Sequence, residues 1–219
     1  MPLDPNDIEK TEKVADFVTK NNFTYLHDSV LSQKLFGVES SFVEENPDKV
    51  YPFSEEFDKS KYIKLYTNNK AGKAGRATWF LADKDVIKKN KQYINEWQVV
   101  VSSANAGGQK RDNQLAIMDN HSAFGRARVA LKSFTNEKEA INFKNYVSSY
   151  VIRYTFLMTD ESLTSLAKWV PDISNYSDEN QYIDFKKNID EQLCDLIGFD
   201  DRDFEYIKHK VNTFREGKN

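Results

Sequence analysis

Cysteine is almost absent from this 219-residue chain. Its single cysteine, Cys194, excludes an internal disulfide and a cysteine-rich zinc site. The three histidines, His27, His121 and His209, are far apart, and no pair has the spacing of a metal site. We therefore predict no metal ligands here, a packing role for Cys194 rather than a nucleophilic one, and a reducing, cytoplasmic compartment.

Long apolar runs are also missing. The longest apolar runs are short, such as Val99–Val101, and fall far below the roughly 20 residues that a helix needs to cross a bilayer. Residues 1–13 are acidic and polar, without the apolar centre of a signal peptide. We expect no membrane among the partners of this chain.

Glycine and proline are scarce, at 8 and 5 residues, while 39% of the chain is hydrophobic, which indicates a folded globular protein. The formal net charge of -3 excludes a global basic field, so any contact with nucleic acid has to be local. The acidic excess lies mainly in residues 44–58 and 178–203. The stretch from Lys59 to Lys132 is net basic, which leaves room for a local anion-binding face.

Hydrophobic periodicity predicts a mixed α/β (α+β) fold with a mixed sheet and C-terminal helices. The predicted elements are a helix before Asn21, a short helix within 23–37 closing at Gly37, an acidic loop over 44–59, a hairpin of 62–66 with 77–81, a helix from Asp83 through Ile94, strands 97–102 and 128–134, a helix from Asn136 to Tyr154, and two helices around Gly198. These elements divide into a helical lead-in (1–22), a central domain (23–170) and a helical tail (171–219).

Five stretches of the chain are informative when taken together and in order. They are Leu31–Phe42 with its Lys34-Leu-Phe-Gly37 sequence, Asp85–Lys91 followed by Gln98–Gly108, Phe134–Ala140, Trp169–Ile173, and Ile189–Leu193 with Gly198–Ile207. These stretches resemble the C-terminal specificity region of type II restriction-modification adenine methyltransferases, including enzymes that fuse nuclease, methylase and recognition parts. The departures are the lack of proline in residues 113–125 and an extra segment at 174–188, from which nothing is carried over.

The resemblance implies a target-recognition domain that reads double-stranded DNA and works with a methyltransferase domain or subunit. Such a methyltransferase needs S-adenosylmethionine and a Pro-Pro segment that holds the flipped adenine. Prolines occur only at positions 2, 5, 47, 52 and 171, so the chain has no Pro-Pro pair. We therefore expect no catalysis and no cofactor in these residues, with S-adenosylmethionine, and magnesium if a nuclease is present, bound by the parent enzyme.

A duplex reader needs cations for phosphates and polar side chains for base edges. The candidate DNA contacts lie in the opening Lys-x-Phe-Gly stretch, in two glycine-containing polar loops, on a basic face of the helix predicted after Asp83, and at a strand start. They are Lys34; Lys70, Lys73 and Arg76; Lys88 and Lys89; Asn105, Gly107, Gly108, Gln109, Lys110 and Arg111; and Arg126 and Arg128. The alternative for each of them is an ordinary solvated surface charge.

Two other functions remain open from the sequence. One is a protein-protein interaction module that uses residues 62–81. The other is a metal-dependent restriction nuclease, for which Asp172 would be the first acidic ligand and Asp184-Phe-Lys186 the second half of the motif.

Overall fold

The fold is mixed α+β, as the sequence predicts. The computed structural model describes residues 5–103, 115–158 and 166–216. The helices are α1 (Pro5–Lys20), α2 (Phe42–Glu45), α3 (Glu137–Ser148), α4 (Tyr150–Leu157), α5 (Ile189–Ile197) and α6 (Asp201–Glu216). The strands are β1 (Thr24–Tyr25), β2 (Val50–Pro52), β3 (Tyr62–Asn68), β4 (Ala77–Asp83), β5 (Trp97–Ser102), β6 (Ala116–Met118), β7 (Ser122–Phe124), β8 (Arg128–Phe134) and β9 (Pro171–Asp172).

The described residues form two compact units. Residues 5–30, 138–158 and 166–216 make a helical unit, and residues 31–103 and 116–137 make a sheet unit. The chain thus divides near residues 30 and 137 rather than at the expected boundaries after residues 22 and 170. The reason is that α1 packs against α5, and α4 against α5 and α6, so the lead-in and the tail share one core.

The sheet unit contains two sheets. One has the order β2-β4-β3-β7 and is mixed, because β3 pairs antiparallel with β4 and parallel with β7. The other has the order β6-β5-β8 and is antiparallel. Both sheets contribute to one hydrophobic cluster, which includes Leu65 of β3, Phe124 of β7 and Val100 of β5. Burial alternates along β3, so Ile63, Leu65 and Thr67 face this core while Tyr62, Lys64 and Tyr66 lie on the other face.

The helical unit confirms most predicted helices but divides one. The predicted helix from Asn136 to Tyr154 is interrupted at Ser149, whose extended backbone ends α3 and whose side chain accepts a hydrogen bond from the Ile152 amide at the start of α4. Asp190 at the start of α5 also accepts hydrogen bonds from the Tyr150 and Val151 amides. The new N-terminus of α4 is therefore capped by a residue 39 positions away from Val151, which no local pattern encodes.

Three predicted elements of the central region are wrong. The helix expected from Asp83 to Ile94 is two 3-10 turns, Lys84–Val86 and Lys91–Asn95, separated by the left-handed Asn90. Asn90 donates a 2.6 Å hydrogen bond to the Leu35 carbonyl, so a tertiary contact replaces helix continuation. The helix expected before Gly37 is only a 3-10 turn over Leu26–Ser29, although Gly37 is left-handed as predicted. The acidic loop contains α2 and the short strand β2.

Within the described part of the chain, no helix is long and apolar enough to span a membrane.

Candidate nucleic-acid interface

The loop joining β3 to β4 presents three of the predicted DNA contacts, Lys70, Lys73 and Arg76, and all three are exposed. Its base is closed by Asn69 and Arg76, whose backbone and side-chain hydrogen bonds measure 2.9 to 3.0 Å. Gly75 is required for this shape, because a Cβ at this position would lie 2.1 Å from the Lys70 carbonyl oxygen. The loop is therefore a defined projection that carries cations.

The three cations of this loop are not equivalent. The Arg76 guanidinium donates 3.0 Å hydrogen bonds to the carbonyls of Lys73 and Gly75, so it stabilises the loop as well as adding charge. The Ala71 amide already donates to a carboxylate oxygen of Glu44 at 2.8 Å. Among the described contacts no ion pair engages Lys70 or Lys73, which leaves these two ammonium groups available for a phosphate.

A second cationic group forms around the carboxylate of Glu39. Lys34 Nζ lies 2.6 Å from one carboxylate oxygen, and Arg126 NH1 lies 3.3 Å from the other. The hydrogen bond from Lys34 is the main cause that lowers the pKa of Glu39, followed by the charges of Lys34 and Arg126. Lys34 and Arg126 remain about half exposed, with side-chain exposures of 53% and 47%. The Glu39 carboxylate therefore holds the charged groups of Lys34 and Arg126, two candidate phosphate contacts, close to each other.

Lys88 and Lys89 lie on the connection between β4 and β5, and both are exposed. The aliphatic chain of Lys89 crosses Gly37, with its Cδ 3.1 Å from the place a Cβ would occupy. Because the Gly37 amide bonds to the Lys34 carbonyl, this contact sets Lys89 beside the segment that carries Lys34. Lys88 and Lys89 do not form the basic helix face that the sequence predicts, because the segment that carries them is not a helix.

Arg128 differs from the other candidates. The residue is 9% exposed, and its guanidinium lies 5.0 Å from the centroid of the Tyr66 ring. A cation in this position contributes to packing through the ring face. Little of Arg128 is available to a phosphate, whereas its neighbour Arg126 is exposed.

The directions of the strands bring the connections 69–76 and 125–127, which carry candidate DNA contacts, to one end of the sheet unit. β3, β5 and β7 finish at this end, and β4, β6 and β8 start there, as their registers require. The Gly125 amide bonds to the Tyr66 carbonyl, and the Ser103 amide bonds to the Ala127 carbonyl. We call this region the loop end: connection 69–76, connection 125–127, and the described residues Ser103 and Ala116.

The second predicted loop lies outside the described residues. Asn105, Gly107, Gly108, Gln109, Lys110 and Arg111 therefore remain a sequence prediction. Ser103, directly before the undescribed residues, and Ala116, shortly after them, both belong to the loop end.

Glu39 is the residue that sequence reasoning missed. It lies in the stretch that follows Lys34-Leu-Phe-Gly37, but its local pattern gives no indication of a role. Its partner Arg126 is 87 residues away, so only the packing of residues 31–42 beside β8, through the Leu31 amide and the Ala130 carbonyl, brings them together.

The residues considered for the nuclease alternative do not form a metal site in the described structure. Asp172 is 1% exposed, and its carboxylate accepts hydrogen bonds from Ser29, Ser174 and Tyr176. Burial raises the pKa of Tyr176 well above its ordinary value, so this hydroxyl stays a donor. Asp184 is exposed and accepts from the Lys186 amide. Asp172 therefore serves the packing of the helical unit.

The Cys194 thiol is partly buried, and each histidine ring has a hydrogen-bond partner. Burial raises the pKa of Cys194 to about 11, which keeps its thiol protonated. His27 bonds to the Leu166 carbonyl, His121 to Asn120 and His209 to Thr213. Within the described ranges, no group of three or more His, Cys, Asp or Glu side chains could hold a metal ion.

Comparison of the chain with protein-family models, with curated proteins and with solved structures found no match.

Proposed function

We propose that this chain is a sequence-specific double-stranded DNA recognition module that directs a restriction-modification adenine methyltransferase, with or without a nuclease, to its site. The observation that carries the proposal is the loop end of the sheet unit. There the exposed Lys70 and Lys73 project from one connection, and Arg126, paired with Lys34 through Glu39, projects from another.

The chemistry of this end suits a phosphate backbone. Ammonium and guanidinium groups on neighbouring connections neutralise successive phosphates and release counterions. The residues predicted to read base edges, Asn105, Gln109 and Arg111, follow β5, whose last strand residue Ser102 pairs with Arg128 at the same end. Phosphate contacts thus fix the register, and the polar loop supplies specificity.

The proposal assigns no catalytic step to this chain. S-adenosylmethionine, and magnesium where the system cleaves DNA, bind to the methyltransferase or nuclease part of the parent enzyme. We place the protein in the cytoplasm, together with the DNA that it binds and its methyltransferase partner.

The test is a fluorescence-anisotropy titration of a mixed-sequence duplex at a series of salt concentrations. The variant is Lys70→Ala/Lys73→Ala. The matched control is Lys59→Ala/Lys61→Ala, which removes the same charge before the start of β3, at the far end of a strand about 20 Å long. We expect the first variant to reduce the slope of log affinity against log salt by roughly two, and the control to leave most of it.

Equal weakening of DNA binding by the two variants would mean that only net charge matters, and affinity that is insensitive to salt would rule out phosphate contacts.

The predicted base-reading loop is tested separately. Lys110→Ala/Arg111→Ala should narrow the difference in affinity between a sequence selected from a random duplex pool and an unselected one. Unchanged discrimination would remove that loop from the proposal.

A further inference from the structure

The outer face of the mixed sheet carries a groove of about 380 Å³ that the DNA proposal does not use. Its walls combine aromatic rings with charged side chains. The lining includes Phe53, Glu55, Lys64, Trp79, Asp119 and Ser122. All of these residues belong to the sheet unit.

The aromatic wall is held in place by the sheet. Trp79 on β4 is paired with Tyr66 on β3, and their rings meet edge to face at 5.2 Å. Phe53 follows β2, and its ring lies 6.0 Å from that of Trp79 at an angle of 40°. Phe53 is 39% exposed, one of the few large apolar side chains on the described surface with so much area in solvent. Phe53 and Trp79 therefore give the groove an aromatic wall.

The charges of the groove favour a cation. Lys64 Nζ lies 2.6 Å from Asp119, so these two charges neutralise each other. Burial alone would raise the pKa of Asp119, but the hydrogen bonds from Lys64 and Ser122, together with the charge of Lys64, outweigh it, so the pKa is lowered and the carboxyl group stays ionised. Glu55 is exposed, and among the described residues no cation lies within ion-pairing distance of its carboxylate. The groove is therefore lined by one unmatched negative charge and by an indole ring.

We propose that this groove binds the guanidinium group of an arginine side chain presented by a protein partner. A guanidinium is planar, stacks on indole through cation-π attraction, and donates paired hydrogen bonds to a carboxylate such as that of Glu55. The sheet unit already contains such a pair, since the Arg128 guanidinium lies over Tyr66, the ring beside Trp79. A phosphate would meet the unmatched carboxylate and be repelled.

This inference does not depend on the DNA proposal. The groove lies on the outer face of the sheet, and none of the cations assigned to phosphates lines it. Loss of DNA binding in the lysine variants and loss of arginine binding in the groove variants are separate results.

The experiment follows the indole N–H signals of the 219-residue chain by two-dimensional NMR. The signal of Trp79 is assigned from a Trp79→Phe spectrum. The probe is N-acetyl-arginine-N-methylamide, and its neutral control is the citrulline analogue, which has nearly the same shape. We expect a saturable shift of the Trp79 signal with the arginine probe and roughly tenfold weaker binding of citrulline, because the charge-assisted hydrogen bonds are lost.

Glu55→Gln is the decisive variant, and Glu56→Gln is its matched control because the exposed Glu56 does not line the groove. Arginine affinity should fall roughly tenfold in Glu55→Gln and stay unchanged in Glu56→Gln. The proposal is overturned if citrulline binds as well as arginine, if Glu55→Gln has no effect, or if no probe moves the Trp79 signal. Adenosine or cytidine shifting this signal while arginine does not would assign the groove to a nucleobase instead.

Discussion

The amide of Ser103 donates a 3.0 Å hydrogen bond to the carbonyl oxygen of Ala127. This bond joins the exit of β5 to the connection between β7 and β8, so two segments that the sequence separates meet at the loop end. Ala127 lies between the exposed Arg126 and the packed Arg128. Residues 126–128 therefore expose the side chain of Arg126 to solvent and pack the guanidinium of Arg128 on Tyr66 of the sheet.

Removing the negative charge at the centre of the Lys34–Arg126 pair should strengthen DNA binding. In Glu39→Gln both cations lose their carboxylate partner, and a phosphate no longer has to compete with it. We expect duplex affinity at low salt to rise roughly threefold to tenfold, with a steeper salt dependence. Anisotropy titrations measure both quantities.

Asp48→Asn is the control for this experiment, because it removes the same charge from an exposed residue just before β2, whose Val50 pairs with Ala82 at the end of β4 away from the loop end. An equal gain in duplex affinity in both variants would mean that the effect comes from net charge alone. Weaker binding in Glu39→Gln would mean that Glu39 is needed to hold its partners in place.

A methyl group at position 125 should destabilise the loop end. Its Cβ would lie 2.4 Å from Thr67 Oγ1 and 3.1 Å from a methyl group of Val38, both in packed surroundings. We expect Gly125→Ala to lower the free energy of unfolding by about 1–3 kcal/mol, measured in urea. The same substitution in a Thr67→Ala background should cost less, and strictly additive effects would contradict the predicted clash.

The buried ion pair of Lys10 and Asp203 should be important for the stability of the helical unit. Their charged atoms are 2.7 Å apart, and their side chains are 5% and 12% exposed. Asp203→Asn leaves the Lys10 ammonium buried without its counter-charge, so we expect a loss of about 3–5 kcal/mol in urea unfolding.

Lys13→Gln is the matched control for the ion pair. Lys13 contacts the same carboxylate at 2.8 Å but is 31% exposed, so its loss should cost about 1 kcal/mol or less. Lys10→Met/Asp203→Asn should recover part of the stability lost in Asp203→Asn, since no unpaired charge remains. A double variant less stable than Asp203→Asn alone would argue against this explanation.

The same carboxylate predicts a dependence of stability on pH. Burial alone would raise the pKa of Asp203, but hydrogen bonds from Lys10 and Lys13 outweigh it, and the pKa is lowered in the folded state. The contribution of Asp203 is therefore fully present above its unfolded pKa of about 3.9 and is lost as pH falls through the lower folded value. Urea unfolding between pH 6 and 3 should show a shallower decline in Asp203→Asn than in wild type, and parallel curves would contradict this assignment.

Local pattern predicted those elements whose signals are repeated within a few residues. Strands β5 and β8 were predicted with their observed bounds, because residues 97–102 have the mostly apolar sequence of a buried strand and residues 128–134 alternate as a strand does. The end of α5 was predicted at Gly198, which is left-handed. The start of α6 was predicted from Asp200 and Asp203, which cap each other's amides. Each of these predictions depends only on residues that are neighbours along the chain.

Local pattern failed where a distant residue decided the backbone. Asn90 takes a left-handed conformation and bonds to the Leu35 carbonyl, so the apolar spacing of residues 86–94 does not become a helix. Ser149 divides a strongly periodic helix because Asp190 caps the new start. In both places a hydrogen bond across a long sequence separation outweighs the weak preference of the local sequence.

Periodicity, caps and composition are local properties, and the mixed α+β class, the β3–β4 hairpin with its cationic loop, the terminal helices and the exclusion of an internal disulfide follow from them. Tertiary packing, in contrast, puts the lead-in and the tail in one unit, packs Arg128 on Tyr66, and lets Glu39 hold Lys34 beside Arg126. These relations depend on strand register and on packing between residues far apart in the chain, and a single sequence does not specify those distances.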